Sequence, residues 1–201
     1  VNYPLGVLYE FIKLGHSLNQ GMELLFSGTI PQGAGLSSSA SIEMVTAVAF
    51  DELMGWGYSR VELIKLSQRA ENLFVGMNCG IMDQFAVGMG RRNHAVFLDT
   101  SNLHHEHVPV TLYHYTLVIS NTNKPRNLTD SKYNDRRKEC EQALAHLNSK
   151  GFDYQHLGQI GYNEFLKLQD AIPAATLRKR ATHVITEDER VLKATRALKA
   201  E

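Results

Sequence analysis

A glycine- and serine-rich stretch between a predicted strand and a predicted helix constrains this chain more than any other feature. It spans Pro31 to Ala40 and reads Pro-Gln-Gly-Ala-Gly-Leu-Ser-Ser-Ser-Ala. Glycine lets backbone N–H groups approach an anion because no Cβ intervenes. A helix that begins directly after the loop adds free N–H groups and the positive end of its dipole. The stretch therefore indicates a loop that binds phosphate groups.

Two interpretations of this loop stay open on the residues alone. The loop lacks the Gly-Lys-Ser/Thr ending of a Walker loop, so it is not a P-loop of that class. A flexible linker followed by a serine-capped helix would use the same residue types, because glycine and serine are common turn residues. The flanking elements favour phosphate binding: alternating β-rich residues predict a strand from Met22 to Ile30, and apolar residues predict a buried helix from Ala40 to Met54.

Two acids downstream of the loop have the spacing and surroundings of functional carboxylates. Glu71 lies near the end of a predicted helix that starts at the capping box Ser59–Glu62, and Asp83 follows twelve residues later among apolar neighbours. Magnesium prefers one or two carboxylates together with substrate phosphates, and transfer of a phosphoryl group to an alcohol benefits from a carboxylate at the attacking hydroxyl. The alternative is that both acids are solvated groups on helix surfaces.

The remaining pattern predicts a mixed α/β (α+β) chain. The apolar side of the helix after the loop is predicted at Ile42, Val45, Ala49 and Leu53, and Gly76 is predicted to close the helix that carries Glu71. Further predicted helices are 5–18, 130–147, 163–169, 174–182 and 187–198, with a short segment at 81–89. Further predicted strands are 94–99, 105–110 and 117–120, and a shift toward charged helices after Leu112 predicts domains 1–112 and 113–201.

Composition narrows the class of protein. Lys plus Arg equals Asp plus Glu at 21 each, which argues against a nucleic-acid-binding surface. No apolar stretch approaches the roughly 20 residues that span a bilayer. The two cysteines, Cys79 and Cys140, are too few for a disulfide scaffold, so we expect ordinary buried thiols in a reduced, cytoplasmic compartment. The start at Val1 and the end inside a helical pattern favour a segment of a longer protein.

Beyond these features, long stretches of the sequence resemble the galactokinases, a family of the GHMP small-molecule kinases. Residues 31–40 resemble the second motif of the superfamily. The stretch Gly-Met-Asn-Cys-Gly-Ile-Met-Asp-Gln-Phe at 76–85, with the preceding Ala-Glu-Asn at 70–72, resembles the region typical of galactokinases. Residues 121–123, 128–133 and 136–141 also match the family, and the resemblance runs from about Tyr3 to Leu198.

The resemblance implies the fold, reaction and site. It implies a GHMP kinase-like fold, with part of the N-terminal lobe followed by the start of a ferredoxin-like C-terminal lobe. It implies an enzyme that uses ATP and Mg²⁺ to convert galactose into galactose 1-phosphate, with small-molecule substrates and no membrane partner. By position, Ser39 and Glu71 would hold the metal, Asp83 would face the anomeric hydroxyl as catalytic base, and Tyr133 would contact the sugar. The ATP phosphates would be held by Gly33, Ala34, Gly35, Leu36, Ser37, Ser38 and Ser39.

Several alternatives to this interpretation stay open. An early sugar-binding motif and a late glycine-rich motif of the family have no counterpart between Val1 and Glu201, which leaves the activity of the chain alone open. A related kinase acting on N-acetylgalactosamine, or a sugar sensor without catalysis, would share much of the pattern, whereas residues 79–84 argue against mevalonate kinase. Without the family, Tyr133 would be a core residue of a helix face. The histidines 104, 105 and 107 favour a solvated strand edge over a zinc site.

Overall fold

The computed structural model describes residues 2–31, 33–121 and 132–200. The chain divides into two compact units, Val1–Ser131 and Lys132–Glu201, and each is described by itself. The predicted lobes 1–112 and 113–201 stay a prediction, as does the ferredoxin-like character of the second lobe. Among the described residues, none of the helices is both long and apolar enough to cross a membrane.

The first unit is mostly helical. Its helices are α1 (Asn2–Lys13), α2 (Ser38–Met54), α3 (Arg60–Arg69), a π-helical turn (Ala70–Val75) and α4 (Met82–Met89), and its strands are β1 (His94–Leu98) and β2 (His105–Pro109). The strands pair antiparallel with Val96 opposite His107, which confirms the strands predicted at 94–99 and 105–110. The core of this unit consists of buried apolar residues that, apart from Ile81, lie on the helices: Val7, Phe11, Met44, Ala47, Phe50, Leu63, Ile64, Leu66, Ala70, Ile81 and Phe85.

Local signals set the ends of the helix that carries Glu71. Ser59 accepts a hydrogen bond from the Glu62 N–H, and the Glu62 side chain accepts one from the Ser59 N–H, so the predicted capping box is confirmed. The helix continues as a π-helical turn, which widens the spiral and re-aims side chains. Gly76 ends it at φ 88°, a left-handed conformation that favours glycine, as predicted.

Two predicted strands are wrong. Residues 22–30 and 117–120 form neither strand nor helix, and most of their side chains are exposed, with Leu25 at 97%. A strand needs a neighbour to pair its backbone N–H and C=O groups, and among the described residues only β1 and β2 form a sheet. Alternating apolar residues predict the extended backbone, but they do not supply that neighbour.

The buried side of α2 also differs from the prediction. Of the four predicted core residues, Val45 is 51% exposed and Leu53 is 67% exposed. The buried side instead carries Ala40, Glu43, Met44, Thr46, Ala47, Phe50 and Asp51. Because α2 is apolar on more than one side, periodicity does not identify the packed side. The buried side of α2 includes two acids, Glu43 and Asp51.

The second unit contains three α-helices among the described residues: α5 (Tyr133–Asn148), α6 (Tyr162–Leu168) and α7 (Ala175–Lys199). Short 3₁₀ turns at Leu157–Gln159 and Gln169–Ala171 connect them. The two helices predicted at 174–182 and 187–198 are one continuous helix, because no glycine or proline interrupts the sequence between them. The core of this unit comprises Ala143, Leu147, Leu157, Ile160, Phe165, Ile172, Leu177, Ala181 and Ile185.

The helix α4, which carries Asp83 in its first turn, packs closely against α3 at Gly88. A Cβ at position 88 would lie 2.6 Å from Cγ1 of the fully buried Ile64. The replacement Gly88→Ala should therefore lower the free energy of unfolding by about 1–2 kcal/mol, since overpacking outweighs the gain in helix propensity. Urea unfolding followed by circular dichroism measures this change.

Gly21→Ala is the matched control, because nothing lies within 4 Å of a Cβ at position 21 and its φ is not in the left-handed region. The control should unfold at the native urea concentration. If Gly88→Ala also unfolded there, the close approach of α4 to α3 would be contradicted.

Candidate functional site

The glycine- and serine-rich loop leads into α2 through backbone conformations that suit an anion site. Gly33, Gly35 and Ser37 have φ of 71°, 74° and 54°, so every second residue adopts the left-handed conformation. Concavities of backbone N–H groups arise where left- and right-handed residues alternate. Ser37 is an uncommon residue for this conformation, and its backbone is held there at the entry to a helix.

The first turn of α2 has no side-chain cap. The side chain of Ser37 accepts no hydrogen bond from the helix, and the first backbone bond runs from Ser41 N–H to the Ser37 carbonyl. The N–H groups of the first turn of a helix have no partner within the helix. Ser38 and Ser39 lie in this turn and are half-buried. The arrangement presents backbone and hydroxyl donors on one helix end.

A buried polar network joins three elements of the first unit. The side-chain amide nitrogen of Gln84, on α4, donates to Oε2 of Glu71 at 2.6 Å and to Oε2 of Glu43 at 3.0 Å. Gln84 and Glu43 are fully buried and Glu71 is 4% exposed. We call the two carboxylates Glu43 and Glu71, together with the Gln84 amide that bridges them, the amide-bridged pair of carboxylates. It connects α2, the π-helical turn and α4.

Cys79 lies against the same network. Its Sγ is 3.3 Å from Oε2 of Glu71 and 3.2 Å from Oδ1 of Asn72, and its carbonyl accepts a hydrogen bond from the Gln68 side chain. Burial, together with the negative charge of Glu71, raises the pKa of the Cys79 thiol to about 12. The thiol is therefore protonated at neutral pH, and it can donate to Glu71. The prediction of an ordinary buried thiol is wrong here, since Cys79 is half-buried beside a carboxylate.

The electrostatics of the pair differ from those of solvated acids. Burial raises the pKa of Glu43 to about 8, the hydrogen bond from Gln84 opposes this, and the charges of Glu71 and Asp83 raise the pKa further. The same surroundings, burial first and then Glu71 and Glu43, raise the pKa of the Tyr3 hydroxyl on α1. Two carboxylates in a dry site resist joint ionisation unless a cation or several donors compensate them.

Asp83 lies at the margin of this network. It occupies the first turn of α4, next to Gln84, and is half-buried. Its charge raises the pKa of Glu43, which places the two carboxylates within electrostatic range of each other. Glu43 in turn follows Ser39 by four residues on α2, so both lie on one helix face. The structure thus brings the serine-rich helix start, Glu71 and Asp83 into one neighbourhood.

The residues fit a divalent cation in chemical terms. Glu71 is a hard carboxylate donor at the network, and Ser39, in the first turn of α2, adds a hydroxyl oxygen. Among the described residues, no group of three or more His, Cys, Asp or Glu side chains forms a ready-made metal cage. Magnesium does not need such a cage, because it takes few protein ligands and fills its remaining positions with phosphate and water.

Tyr133 is the one predicted site residue that lies in the second unit. It is the first residue of α5 and is 45% exposed, whereas Ala143 and Leu147 of the same helix are buried. The interpretation of Tyr133 as a core residue of this face is therefore wrong. Its contact with a sugar stays a prediction.

Of the three histidines at 104, 105 and 107, two make side-chain contacts within the first unit. His107 shares a hydrogen bond of 2.7 Å with the carbonyl of Met89, and the ring of His105 meets that of Phe85 edge-on at 5.0 Å. Only His104 is exposed, so the predicted solvated edge holds for that residue alone. Within the described part of the chain, these residues do not form a zinc site.

Sequence reasoning did not find Glu43 and Gln84. Glu43 carries a signal in hindsight, since it is the one charged residue between positions 40 and 50, one turn after the serines, and a charged residue in a largely apolar stretch needs a partner. Gln84 carries none, because glutamine occurs in helices of every kind.

Known proteins share both the sequence and the fold of this chain. The profile of the "GHMP kinases N terminal domain" matches residues 2–91. The galactokinase of Halalkalibacterium halodurans is 51% identical over 199 residues, which are 99% of this chain and 50% of that protein. The galactokinase of Enterococcus faecalis is 49% identical over 197 residues, 98% of this chain and 51% of that protein. Over nearly its whole length the chain is similar to galactokinases, which are GHMP kinases, and the predicted resemblance is confirmed.

A solved structure supports the fold. The "Lactococcus lactis Galactokinase Complexed with Galactose" matches this chain with a TM-score of 0.93 at 43% identity, covering 99% of this chain and 51% of that one. The GHMP kinase-like fold class is thereby confirmed. The chain spans about half the length of the curated relatives it matches.

The raised pKa of Glu43 predicts a pH dependence of folding. The folded state binds this proton more tightly than the unfolded state, because the pKa rises from 4.5 to about 8 on folding. The stabilisation is complete below the unfolded value and is lost as the pH rises through about 8. Glu43→Gln is neutral at every pH. The native protein should therefore lose more free energy of unfolding than the variant between about pH 5 and 8.5, at up to about 1.4 kcal/mol per pH unit.

Urea unfolding in a buffer with a metal chelator measures this difference, and Glu52→Gln, an exposed acid on the same helix, is the control. The control should follow the native pH dependence. Equal pH dependence in the native protein and Glu43→Gln would mean that Glu43 is ionised throughout.

Proposed function

We propose that the protein containing this chain phosphorylates galactose, transferring the γ-phosphoryl group of ATP to give galactose 1-phosphate. The similarity to the galactokinases of two organisms supports both the reaction class and the sugar. One observation in this chain carries the proposal: the amide-bridged pair of carboxylates joins the start of α2 to Glu71 and to the helix of Asp83. Phosphoryl transfer requires phosphate donors, a metal carboxylate and an acceptor carboxylate together.

The ATP phosphates would lie at the start of α2. The backbone N–H groups from Gly33 to Ser39 and the hydroxyls of the three serines offer donors to the phosphate oxygens. The left-handed conformations at Gly33 and Gly35 allow this close approach. The free N–H groups of the helix start favour an anion there. All three serines are present, and this favours an enzyme over a sugar sensor that has lost part of the loop.

Ser39 and Glu71 would hold Mg²⁺ between them and the phosphates. When bound, Mg²⁺ neutralises negative charge on the phosphate oxygens and lowers the barrier to transfer. Gln84 and Cys79 fix the Glu71 carboxylate from two sides. A carboxylate held in this way keeps its orientation when substrate arrives, and that is what electrostatic preorganisation requires.

Asp83 would receive the sugar. Its carboxylate, half-buried in the first turn of α4, would accept the proton of the anomeric hydroxyl as the oxygen–phosphorus bond forms and the bond from the γ-phosphorus to the bridging oxygen of ADP breaks. Tyr133 would also contact the sugar. The free thiols Cys79 and Cys140 fit a protein of the reducing cytoplasm.

The role of Asp83 predicts the behaviour of Asp83→Asn. In a version extended at both ends to the length of the relatives, turnover should fall by about 10²–10⁴-fold, because the general base is lost. Binding of ATP should stay within about threefold of the native value, since Asp83 does not face the phosphates in this proposal. Galactose-dependent release of ADP and binding of a fluorescent ATP analogue measure the two quantities.

Glu52→Gln is the matched control on turnover, because Glu52 is an exposed acid away from the network. Native turnover in Asp83→Asn would contradict the proposed base. The same assay on galactose and N-acetylgalactosamine distinguishes the two sugars, and a nucleotide-binding protein without ADP release on either would be a sensor.

A further inference from the structure

The side chain of Gln84 is more than a link between two acids. A side-chain amide has two N–H donors, and Gln84 gives one to Glu71 at 2.6 Å and the other to Glu43 at 3.0 Å. Both donors are used, and the side chain is fully buried. Each bond therefore restrains the orientation of the amide. The second acceptor, Glu43, lies 41 residues from Gln84 in sequence.

Among the described residues, the network leaves two buried oxygen atoms without hydrogen-bond partners. Oε2 of Glu43 accepts from Gln84, whereas Oε1 of Glu43 and Oε1 of Gln84 are buried and unpartnered among the described residues. A core that served stability alone would favour apolar groups here, because unpaired buried polar atoms cost about 1–3 kcal/mol each. The buried polar contacts therefore favour a functional role for Glu71 over a role in stabilising the core.

The positions along the chain connect the network to the proposed reaction. Gln84 directly follows Asp83, and Glu43 lies one helical turn after Ser39 on the same face of α2. Each proposed catalytic or metal-binding residue is thus either a member of the network or a neighbour of one. A shift of the Gln84 amide would move the Glu71 carboxylate relative to the start of α2.

We propose that Gln84 is a positioning residue: held by Glu43, it orients the Glu71 carboxylate toward the metal–nucleotide complex. This inference rests on the proposed function for its metal site, and it adds two residues that act through Glu71. Groups that orient a metal ligand typically contribute about 10–100-fold to metal affinity or activity. The structural alternative is that Gln84 only ties α4 to α2.

Three variants separate these two roles. Gln84→Met keeps the length of the side chain but removes both donors. Glu43→Met removes the acceptor that holds the amide. Glu43→Gln keeps the length of the side chain and an oxygen that can accept from the Gln84 amide. The conservative variant should therefore rescue the loss seen in Glu43→Met.

The readout is binding of Mn²⁺ in the presence of ATP, followed by electron paramagnetic resonance in the version extended to the length of the relatives. The Mn²⁺ dissociation constant should rise about 10–100-fold in Gln84→Met and clearly, though less, in Glu43→Met, and it should stay within about twofold in Glu43→Gln. The double variant Glu43→Met with Gln84→Met should bind no more weakly than Gln84→Met alone, because Glu43 acts through Gln84.

Each outcome decides between the roles. Lower unfolding midpoints with native Mn²⁺ binding would leave Gln84 a structural tie and overturn the inference, and so would additive losses in the double variant. If Gln84→Met did not fold, equal binding by Glu43→Met and Glu43→Gln would overturn it, and rescue by Glu43→Gln would support it. Absence of galactose-dependent ADP release from the unsubstituted protein would contradict the proposed function, while the Mn²⁺ measurements would still decide the role of Gln84.

Discussion

The amide of Gln84 between two buried carboxylates is the contact on which the site depends. Glu43 and Glu71 lie in a region with almost no access to water, where two negative charges repel strongly. One amide supplies a donor to each, at 3.0 and 2.6 Å, and the remaining cost appears as the raised pKa of Glu43. Because the three side chains belong to α2, the π-helical turn and α4, the network also fixes how these elements meet.

The loss of stability that the unpaired oxygens of this network cause is consistent with a functional role for its residues. Apolar residues of similar volume would fill the same space without unpaired oxygens, and buried polar groups with incomplete partners lower stability. A site that handles a divalent cation and a nucleotide gains from carboxylates whose orientation is set before the ligand arrives. The half-buried Asp83 beside this network is more exposed to solvent than the buried acids Glu43 and Glu71.

The sequence predicted much of the fold and part of the site, for physical reasons that differ from residue to residue. The capping box at Ser59 and the left-handed Gly76 are local signals, so they predict helix ends well. The strand predicted at 22–30 failed because its pairing depends on a neighbour that the pattern does not specify. The packed side of α2 failed because apolar residues occur on more than one side of that helix.

The residues of the site likewise fall into two groups. Local sequence signals reveal some of them, and the others depend on contacts between distant parts of the chain. Glycines, serines and isolated acids mark Gly33 to Ser39, Glu71 and Asp83 in the sequence, because their chemistry is uncommon in those settings. Gln84 and Glu43 matter only through each other and are 41 residues apart, so single-sequence patterns do not reveal them. The π-helical turn that carries Glu71 was not predicted from the sequence.

The central claim is that the start of α2 and Asp83 serve one nucleotide-and-sugar site. A crystal structure of the extended protein with Mg²⁺, a non-hydrolysable ATP analogue and galactose tests it most directly. We expect the terminal phosphate at the N–H groups of the first turn of α2, the metal on Glu71, and the Asp83 carboxylate at hydrogen-bond distance, about 2.6–3.2 Å, from the anomeric hydroxyl. Phosphates bound elsewhere, or an Asp83 carboxylate turned toward solvent and away from the sugar, would contradict the account.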